Sequence, residues 1–326
     1  MAGKIKKLLD LLFLLRIPLM VPVWTILLLG WVTGNDAAIV SQSFLNPFNP
    51  AMAELFKAIG AFSLSVAFIY VVNQIADIES DRINKKLFIL PQKLISLPSA
   101  WITAGLCAAG GLTLAYHIGV DMLILNILAL ILGVLYNLPP ASLKDRAIGG
   151  VAANALGHGM LTFLVGWFVA KGDQILTPDL IKTGLISSLA PAFANGAVFL
   201  ATTIPDAEGD KITGKKTFCV SYGKRKTAST AALMCAFALL FSFFMEYNYW
   251  VMAVPSAISL FFFLNFAITT KKESAFYSFK WPVFLLSVFI AIFVPMYAVM
   301  IIVIFFFSRF YYKWRFGIEY PTFKSK

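Results

Sequence analysis

The stretch Asn73-Gln74-Ile75-Ala76-Asp77-Ile78-Glu79-Ser80-Asp81 closes a long apolar run and places three acids within five residues. Asn73, Asp77 and Asp81 follow one another at intervals of four. On a helix this spacing puts them on one face, one turn above the other, while Glu79 points elsewhere. Carboxylates at the mouth of an apolar helix repel each other and are costly to desolvate, so they need a counter-cation. Oxygen ligands on a shared face suit Mg²⁺. The chain repeats the device in Thr202-Thr203-Ile204-Pro205-Asp206-Ala207-Glu208-Gly209-Asp210, again D-x-E-x-D at the end of an apolar run.

The surrounding chain explains why these motifs end apolar runs. Of 326 residues, 60% are hydrophobic and only 13% charged. Apolar runs of about 20 residues recur from end to end, each long enough to cross a bilayer core. In lipid every backbone polar group must be paired internally, so such spans must be helices. We therefore expect an all-α integral membrane protein, a single domain over residues 1–326. Membrane helices, nine in all, are expected at 9–33, 50–75, 97–117, 119–138, 148–170, 180–204, 228–246, 248–269 and 280–307. The start (Lys4, Lys6, Lys7, then an apolar run) resembles a signal peptide. That run is too long, holds Arg16 and Pro18 and lacks a clear small-residue cleavage site, so it reads as a retained first helix. Cys107, Cys219 and Cys235 have no metal or redox spacing.

Lysine and arginine set the orientation. With the N-terminus in the cytoplasm, 19 basic residues before residue 300 fall inside and three (Lys57, Lys171, Lys182) outside. Both acidic motifs then face the cytoplasm, and the expected setting is a bacterial inner membrane. One feature conflicts: nine spans put the tail outside, yet it carries Arg309, Lys313, Arg315, Lys324 and Lys326. Either the tail breaks the rule, or 280–307, with Pro282 and Pro295, does not cross simply. The net charge of +11 sits in short loops. It points to anionic lipid head groups and an anionic substrate rather than nucleic acid. The two motifs are a weak internal repeat, with halves of about 1–140 and 141–326. Each closes a helix running from outside to inside, so the two can meet across a bundle.

Four aspartates meeting at one cavity, Asp77, Asp81, Asp206 and Asp210, can hold two or more Mg²⁺ ions, with Asn73 a further candidate ligand. Mg²⁺ takes few protein ligands and shares its shell with phosphate oxygens. Arg82, Lys85, Lys144, Lys215 and Lys216 can neutralise the remaining negative charge. Such a site at the mouth of an apolar cavity suits a diphosphate with an apolar tail, and stabilises charge on the bridging oxygen as it leaves. Between the motifs lies Tyr136-Asn137-Leu138-Pro139-Pro140-Ala141-Ser142-Leu143-Lys144. Its prolines end a helix and fix a turn. From there Lys144 can reach a phosphate, and Tyr136 offers a phenol and a π face to a forming cation.

With these residues assembled, the chain resembles the UbiA superfamily of intramembrane prenyltransferases. The resemblance rests on Asn73-Gln74-x-x-Asp77-x-x-x-Asp81 with Ile83-Asn84-Lys85, on the Tyr136…Lys144 turn, and on Asp206-x-Glu208-Gly209-Asp210-x-x-x-Gly214-x-x-Thr217. The ending Tyr311-Tyr312-Lys313-x-Arg315-Phe316-Gly317 adds to it. It implies helices around a central cavity open sideways to lipid, under cytoplasmic cap loops. It also implies Mg²⁺-dependent prenyl transfer from an isoprenyl diphosphate to an acceptor, through a carbocation-like transition state. Asn73, Asp77 and Asp81 match the first metal and diphosphate motif, Asp206 and Asp210 the second. Tyr136 and Lys144 match residues near the scissile bond. Gln74 stands where many members have Asp, as in the homogentisate-type branch, which tilts the acceptor towards a lipid-soluble aromatic or quinone precursor. Tetrapyrroles, glycerol phosphates and carotenoids are the family's other acceptors.

Four polar residues inside apolar runs have two readings. Asn154 and His158 lie one turn apart, so they could bind an acceptor or hydrogen-bond a neighbouring helix. Asn195 and Thr202 share a face with Asp206 and could line the cavity. Two other functions compete. A transporter would need its acids near the midplane on broken helices, whereas these lie at helix ends. A lipid phosphotransferase would not need the Tyr136…Lys144 turn.

Overall fold

The computed structural model describes residues 2–46, 50–83, 89–172 and 177–322. Their regular structure is helical, with one isolated parallel bridge between Arg146 and Lys216. In chain order the helices are α1 (Ala2–Leu14), α2 (Met20–Gly34), α3 (Ala37–Leu45), α4 (Pro50–Ala76), α5 (Ile78–Ile83), α6 (Leu97–Ile118), α7 (Val120–Asn137) and α8 (Ala147–Asn154). A π-helical turn, Ala155–Leu161, leads into α9 (Thr162–Lys171). Then come α10 (Pro178–Ser187), α11 (Leu189–Ile212), α12 (Phe218–Ser242), α13 (Trp250–Thr269), α14 (Lys272–Phe293) and α15 (Pro295–Phe316). Among the described residues nine helical stretches are long and apolar enough to cross a membrane. Lys85 lies outside the described residues.

The first expected span, 9–33, is broken between Leu14 and Met20, where Arg16 takes a left-handed conformation (φ 57°) ahead of Pro18. The cause is local. Pro18 lacks the N–H that would bond the Leu14 carbonyl four residues earlier. The Gln74 side-chain amide donates to that carbonyl instead, at 2.7 Å. Gln74, 2% exposed, therefore mends a helix break, a task a carboxylate could not perform because it cannot donate.

The last expected span, 280–307, is two helices, α14 and α15, broken at Val294. Proline 295 disfavours helical geometry in the residue before it, and Val294 accordingly leaves the helical region (φ −126°, ψ 80°). The two arms form a hairpin whose open end returns to the motif-bearing face. Lys272, at the start of α14, pairs with Glu208 of the second motif, and Lys280 donates to the Thr322 carbonyl at 2.6 Å. At the end of α15, Tyr311 donates to Asp10 of α1 at 2.7 Å, and Arg315 grips both Asp10 oxygens at 3.0 and 3.1 Å. Of the two alternatives for the tail, the structure takes the second: 280–307 does not cross as one span. The end of α15, with Lys313 and Arg315, therefore lies at the motif face beside α1, while Lys324 and Lys326 lie outside the described residues.

The expected span 228–246 falls within α12, which starts ten residues earlier at Phe218 and ends at Ser242. Lys224, Arg225 and Lys226 keep it outside the set of nine. It nevertheless traverses the bundle: Thr217 meets Asp210 at one end, and beyond the other Tyr247 donates to the Thr33 carbonyl. At that opposite face Lys171 donates to the Gly34 carbonyl and pairs with Glu246, each at 2.7 Å. Packing inside the bundle relies on small residues. A Cβ on Gly159 would collide with the Ala192 backbone, so the π turn seats directly on α11.

Candidate active site

Helix α4 delivers the first motif, and α5 follows it, with the Asp77 and Asp81 N–H groups bonding the carbonyls four residues earlier. Asn73 lies on the last turn of α4, where its amide donates to Asp77 Oδ2 (3.0 Å) and to Asn137 Oδ1 at the end of α7 (2.8 Å). Its own Oδ1 accepts from Arg16 (3.2 Å), whose guanidinium also lies over the Tyr70 ring at 5.7 Å. Arg16 entered the sequence reading only as a basic residue. The break at Pro18 turns it into the site, a consequence that a charge count does not reveal.

Asp77 is the centre of the cluster. Lys215 Nζ donates to Asp77 Oδ1 at 2.8 Å and to Ser80 at 3.2 Å. Lys144 Nζ forms an ion pair with Asp77 Oδ2 at 2.8 Å. All three are well buried: side-chain exposure is 13% for Asp77, 8% for Lys144 and 19% for Lys215. Burial alone would raise the Asp77 carboxyl, but the two lysines outweigh it and hold it below its ordinary range. Burial would likewise lower Lys215, and Asp77 with Asp145 raises it instead.

The lysines arrive from different elements. After α7, Pro139 and Pro140 turn the chain, and Ser142 adopts a left-handed conformation (φ 38°) that aims Lys144 inward. Lys215 follows α11, and its N–H bonds the Asp210 carbonyl at 2.9 Å. The neighbouring Lys216 N–H bonds the Asp145 carbonyl at 3.0 Å, pinning the Pro-Pro turn to the second motif. Asp145, 3.9 Å from Lys215, is a site residue that no motif marked.

Asp81 and Asp210 are each 9% exposed, and Thr217 donates to Asp210 Oδ2 at 3.2 Å. Asp206 is half-buried, one turn before Asp210. Lys215 stands between the motifs, bonded to Asp77 and feeling the charge of Asp210. Among the described residues no three acids, histidines or cysteines stand close enough to hold a metal unaided. The donor set is nevertheless hard carboxylate oxygen, which fits Mg²⁺, an ion that takes few protein ligands and fills its shell from phosphate.

The remaining expected residues divide. Asn154 donates to the Tyr136 hydroxyl at 3.2 Å, and His158 in the π turn stacks on Tyr70 with centroids 6.0 Å apart. Both therefore join a wall running from Arg16 to Tyr136. Arg82 does not join the cluster: it is 51% exposed and paired with Glu79 at 3.0 Å. Asn195 and Thr202 bond carbonyls of their own helix, Pro191 and Phe199, which satisfies them within α11.

Fold and site together define a helical membrane protein with a buried cluster of ion pairs at one face and a polar, aromatic wall behind it. A model of the UbiA prenyltransferase family matches residues 27–288, and the chain belongs to that family. It is 26% identical over 204 residues to homogentisate phytyltransferase of Synechocystis sp., covering 62% of this chain and 63% of that one. It is 28% identical over 181 residues to 2-acyl-4-prenylphloroglucinol 6-prenyltransferase of Humulus lupulus, covering 53% and 43%. The matches thus span about half the length of these relatives. Among solved structures, a UbiA homolog from Archaeoglobus fulgidus bound to DMAPP and Mg²⁺ superposes with a TM-score of 0.69 at 18% identity, covering 90% of this chain and 99% of that one.

Proposed function

We propose that this protein transfers a prenyl group from an isoprenyl diphosphate to a lipid-soluble aromatic acceptor, a quinone precursor, within the membrane. The observation that carries the proposal is the convergence on Asp77 of Lys144 from the Pro-Pro turn and Lys215 from the second motif, at 2.8 Å each. Three segments far apart in sequence meet there. An arrangement of carboxylates interleaved with ammonium groups suits a metal-accompanied diphosphate, and the solved relative carrying DMAPP and Mg²⁺ supports that reading.

In this account Asp77, Asp81, Asp206 and Asp210 would hold Mg²⁺, two or more ions, which neutralise the diphosphate and make it a better leaving group. Lys144 and Lys215 are held where their ammonium groups can pair with diphosphate oxygens as the prenyl–oxygen bond lengthens. Asn154 fixes the Tyr136 phenol, and Tyr70, stacked on His158, adds a second ring beside Arg16. Electron-rich faces of this kind stabilise a carbocation and exclude water from it. Arg16 has no carboxylate partner among the described residues, so it can meet an acidic group on the acceptor. The site would face the cytoplasm of a bacterial inner membrane, in keeping with the basic residues gathered on the motif face.

The relatives that act on homogentisate and phloroglucinol rings support an aromatic acceptor. The test is incubation of the purified protein with radiolabelled geranylgeranyl diphosphate, Mg²⁺ and separate acceptors: a phenolic acid, a glycerol phosphate and a tetrapyrrole. Label entering the phenol alone supports the proposal. Label entering only the glycerol phosphate or tetrapyrrole would reject the aromatic acceptor.

A further inference from the structure

Helix α12 carries a feature that prenyl transfer does not use. Its first residues lie on the motif face, where Thr217 meets Asp210, and its apolar part begins at Thr227. Between them Gly223 (φ 81°) breaks the helix, and Lys224, Arg225 and Lys226 follow in succession. All three are exposed, and no carboxylate among the described residues pairs with any of them.

An open groove of about 630 Å³ lies against this triplet. Arg225, Lys226, Ser229 and Thr230 line it, with Phe218 and Tyr222 packed together at one side, their centroids 4.8 Å apart. Arg225 and Ser229 are four apart on the helix, and so are Lys226 and Thr230. Each cation therefore stands one turn from a hydroxyl, on adjacent ridges. Two cations and two hydroxyls in that array match the oxygens of one phosphate. Exposed apolar side chains lie in the groove and further along α12. Ile148 of α8 lines it at 66% exposure, and Leu233 and Phe237, further down α12 on the Lys226–Thr230 face, are exposed at 55% and 36%.

We propose that this groove is a binding site for an anionic membrane phospholipid. The phosphate sits between Arg225–Ser229 and Lys226–Thr230, and an acyl chain lies along Ile148, Leu233 and Phe237. A basic cluster where a helix enters the hydrocarbon is where anionic head groups gather. These apolar side chains select a lipid over a free phosphate. The aromatic pair marks the interfacial level that tyrosine favours. Thr217, the residue before Phe218, bonds the second motif, so a lipid held here buttresses the loop that carries Lys215.

The experiment is a thermal-unfolding titration of the full-length protein in neutral maltoside micelles with dioctanoyl phosphatidylglycerol, dioctanoyl phosphatidylcholine or inorganic phosphate. Phosphatidylglycerol should raise the midpoint saturably, and the other two should not. The pair Arg225→Gln and Lys226→Gln should weaken the apparent affinity about thirtyfold, the worth of two interfacial cations. Both side chains are exposed, so the double variant keeps the unliganded midpoint. Lys271→Gln with Lys272→Gln removes the same charge from the same face and should leave the affinity unchanged. An equal response to phosphatidylcholine or to inorganic phosphate would overturn the lipid site. So would equal affinity in the Arg225/Lys226 variant, or an equal loss in the Lys271/Lys272 variant.

Discussion

Replacing Asp77 by Asn tests the ionic centre through stability alone. The change keeps the side chain's shape but removes the charge that balances Lys144 and Lys215, both within 2.8 Å. Removing one partner of a buried ion pair costs about 3–5 kcal/mol, because the remaining charge is left desolvated. The three side chains are 8–19% exposed, so some water reaches the lysines. The lower end, about 3 kcal/mol, is therefore appropriate. At roughly 2 °C per kcal/mol this lowers the unfolding midpoint by about 6 °C. The lysines cause the loss, so taking one away should restore stability. Asp77→Asn with Lys215→Met should recover about half of it, about 1.5 kcal/mol relative to Asp77→Asn alone. The assay is intrinsic-fluorescence melting in micelles at neutral pH. A double variant no more stable than Asp77→Asn would refute the reasoning, as would a single variant that melts like the wild type.

Three further outcomes follow from other parts of the structure. The Asp77 carboxyl is held below its ordinary value of 3.8, so its contribution is complete above that pH and lost as pH falls through the lower folded value. Lys215 is raised above 10.5, so its contribution is complete below that pH and lost as pH rises through the higher folded value. The melting gap between wild type and Asp77→Asn should thus stay flat from about pH 5 to pH 9 and close outside that window, in stronger acid and in stronger base. Asp10→Asn weakens the grip on Tyr311 and Arg315 by about 2 kcal/mol. Trypsin should then cut at Lys313 and Arg315 faster than in the wild type, and unchanged cleavage would show that the latch does not hold α15. Gly159→Ala forces a Cβ against the Ala192 backbone, which cannot yield as a side chain would. It should cost about 2 kcal/mol in the same melting assay, and an unchanged midpoint would mean that the π turn does not seat closely on α11.

Much of this architecture was legible because lipid leaves few options. Apolar length fixed the helices, and spacing of four put Asn73, Asp77 and Asp81 on one face. The pairing of Lys144 and Lys215 with Asp77 was not legible. Sequence placed both lysines near a phosphate, but only the folded turn at Pro139–Pro140 and the loop after Asp210 bring them onto one carboxylate. The pairing of Arg82 was not legible either: three residues from Glu79 on a short helix, it meets that carboxylate at the surface. Arg16 was missed because its position depends on a break whose cause, the N–H lost at Pro18, is repaired by Gln74 from another helix. The hairpin at Val294–Pro295 was half legible, since the charge of the tail conflicted with a single final span. A proline in an apolar run can either kink a helix or end it, and only the packing of α15 on α1 decides.

The proposed function makes two distant motifs one clamp for an isoprenyl diphosphate. It is tested most directly by calorimetric titration of an unreactive thio-linked geranyl diphosphate analogue, with Mg²⁺, into wild type, Asp77→Asn and Asp210→Asn. Each variant should bind at least about tenfold more weakly, the loss of one charge-assisted contact. Wild-type affinity in Asp210→Asn, with the loss confined to Asp77→Asn, would contradict the claim.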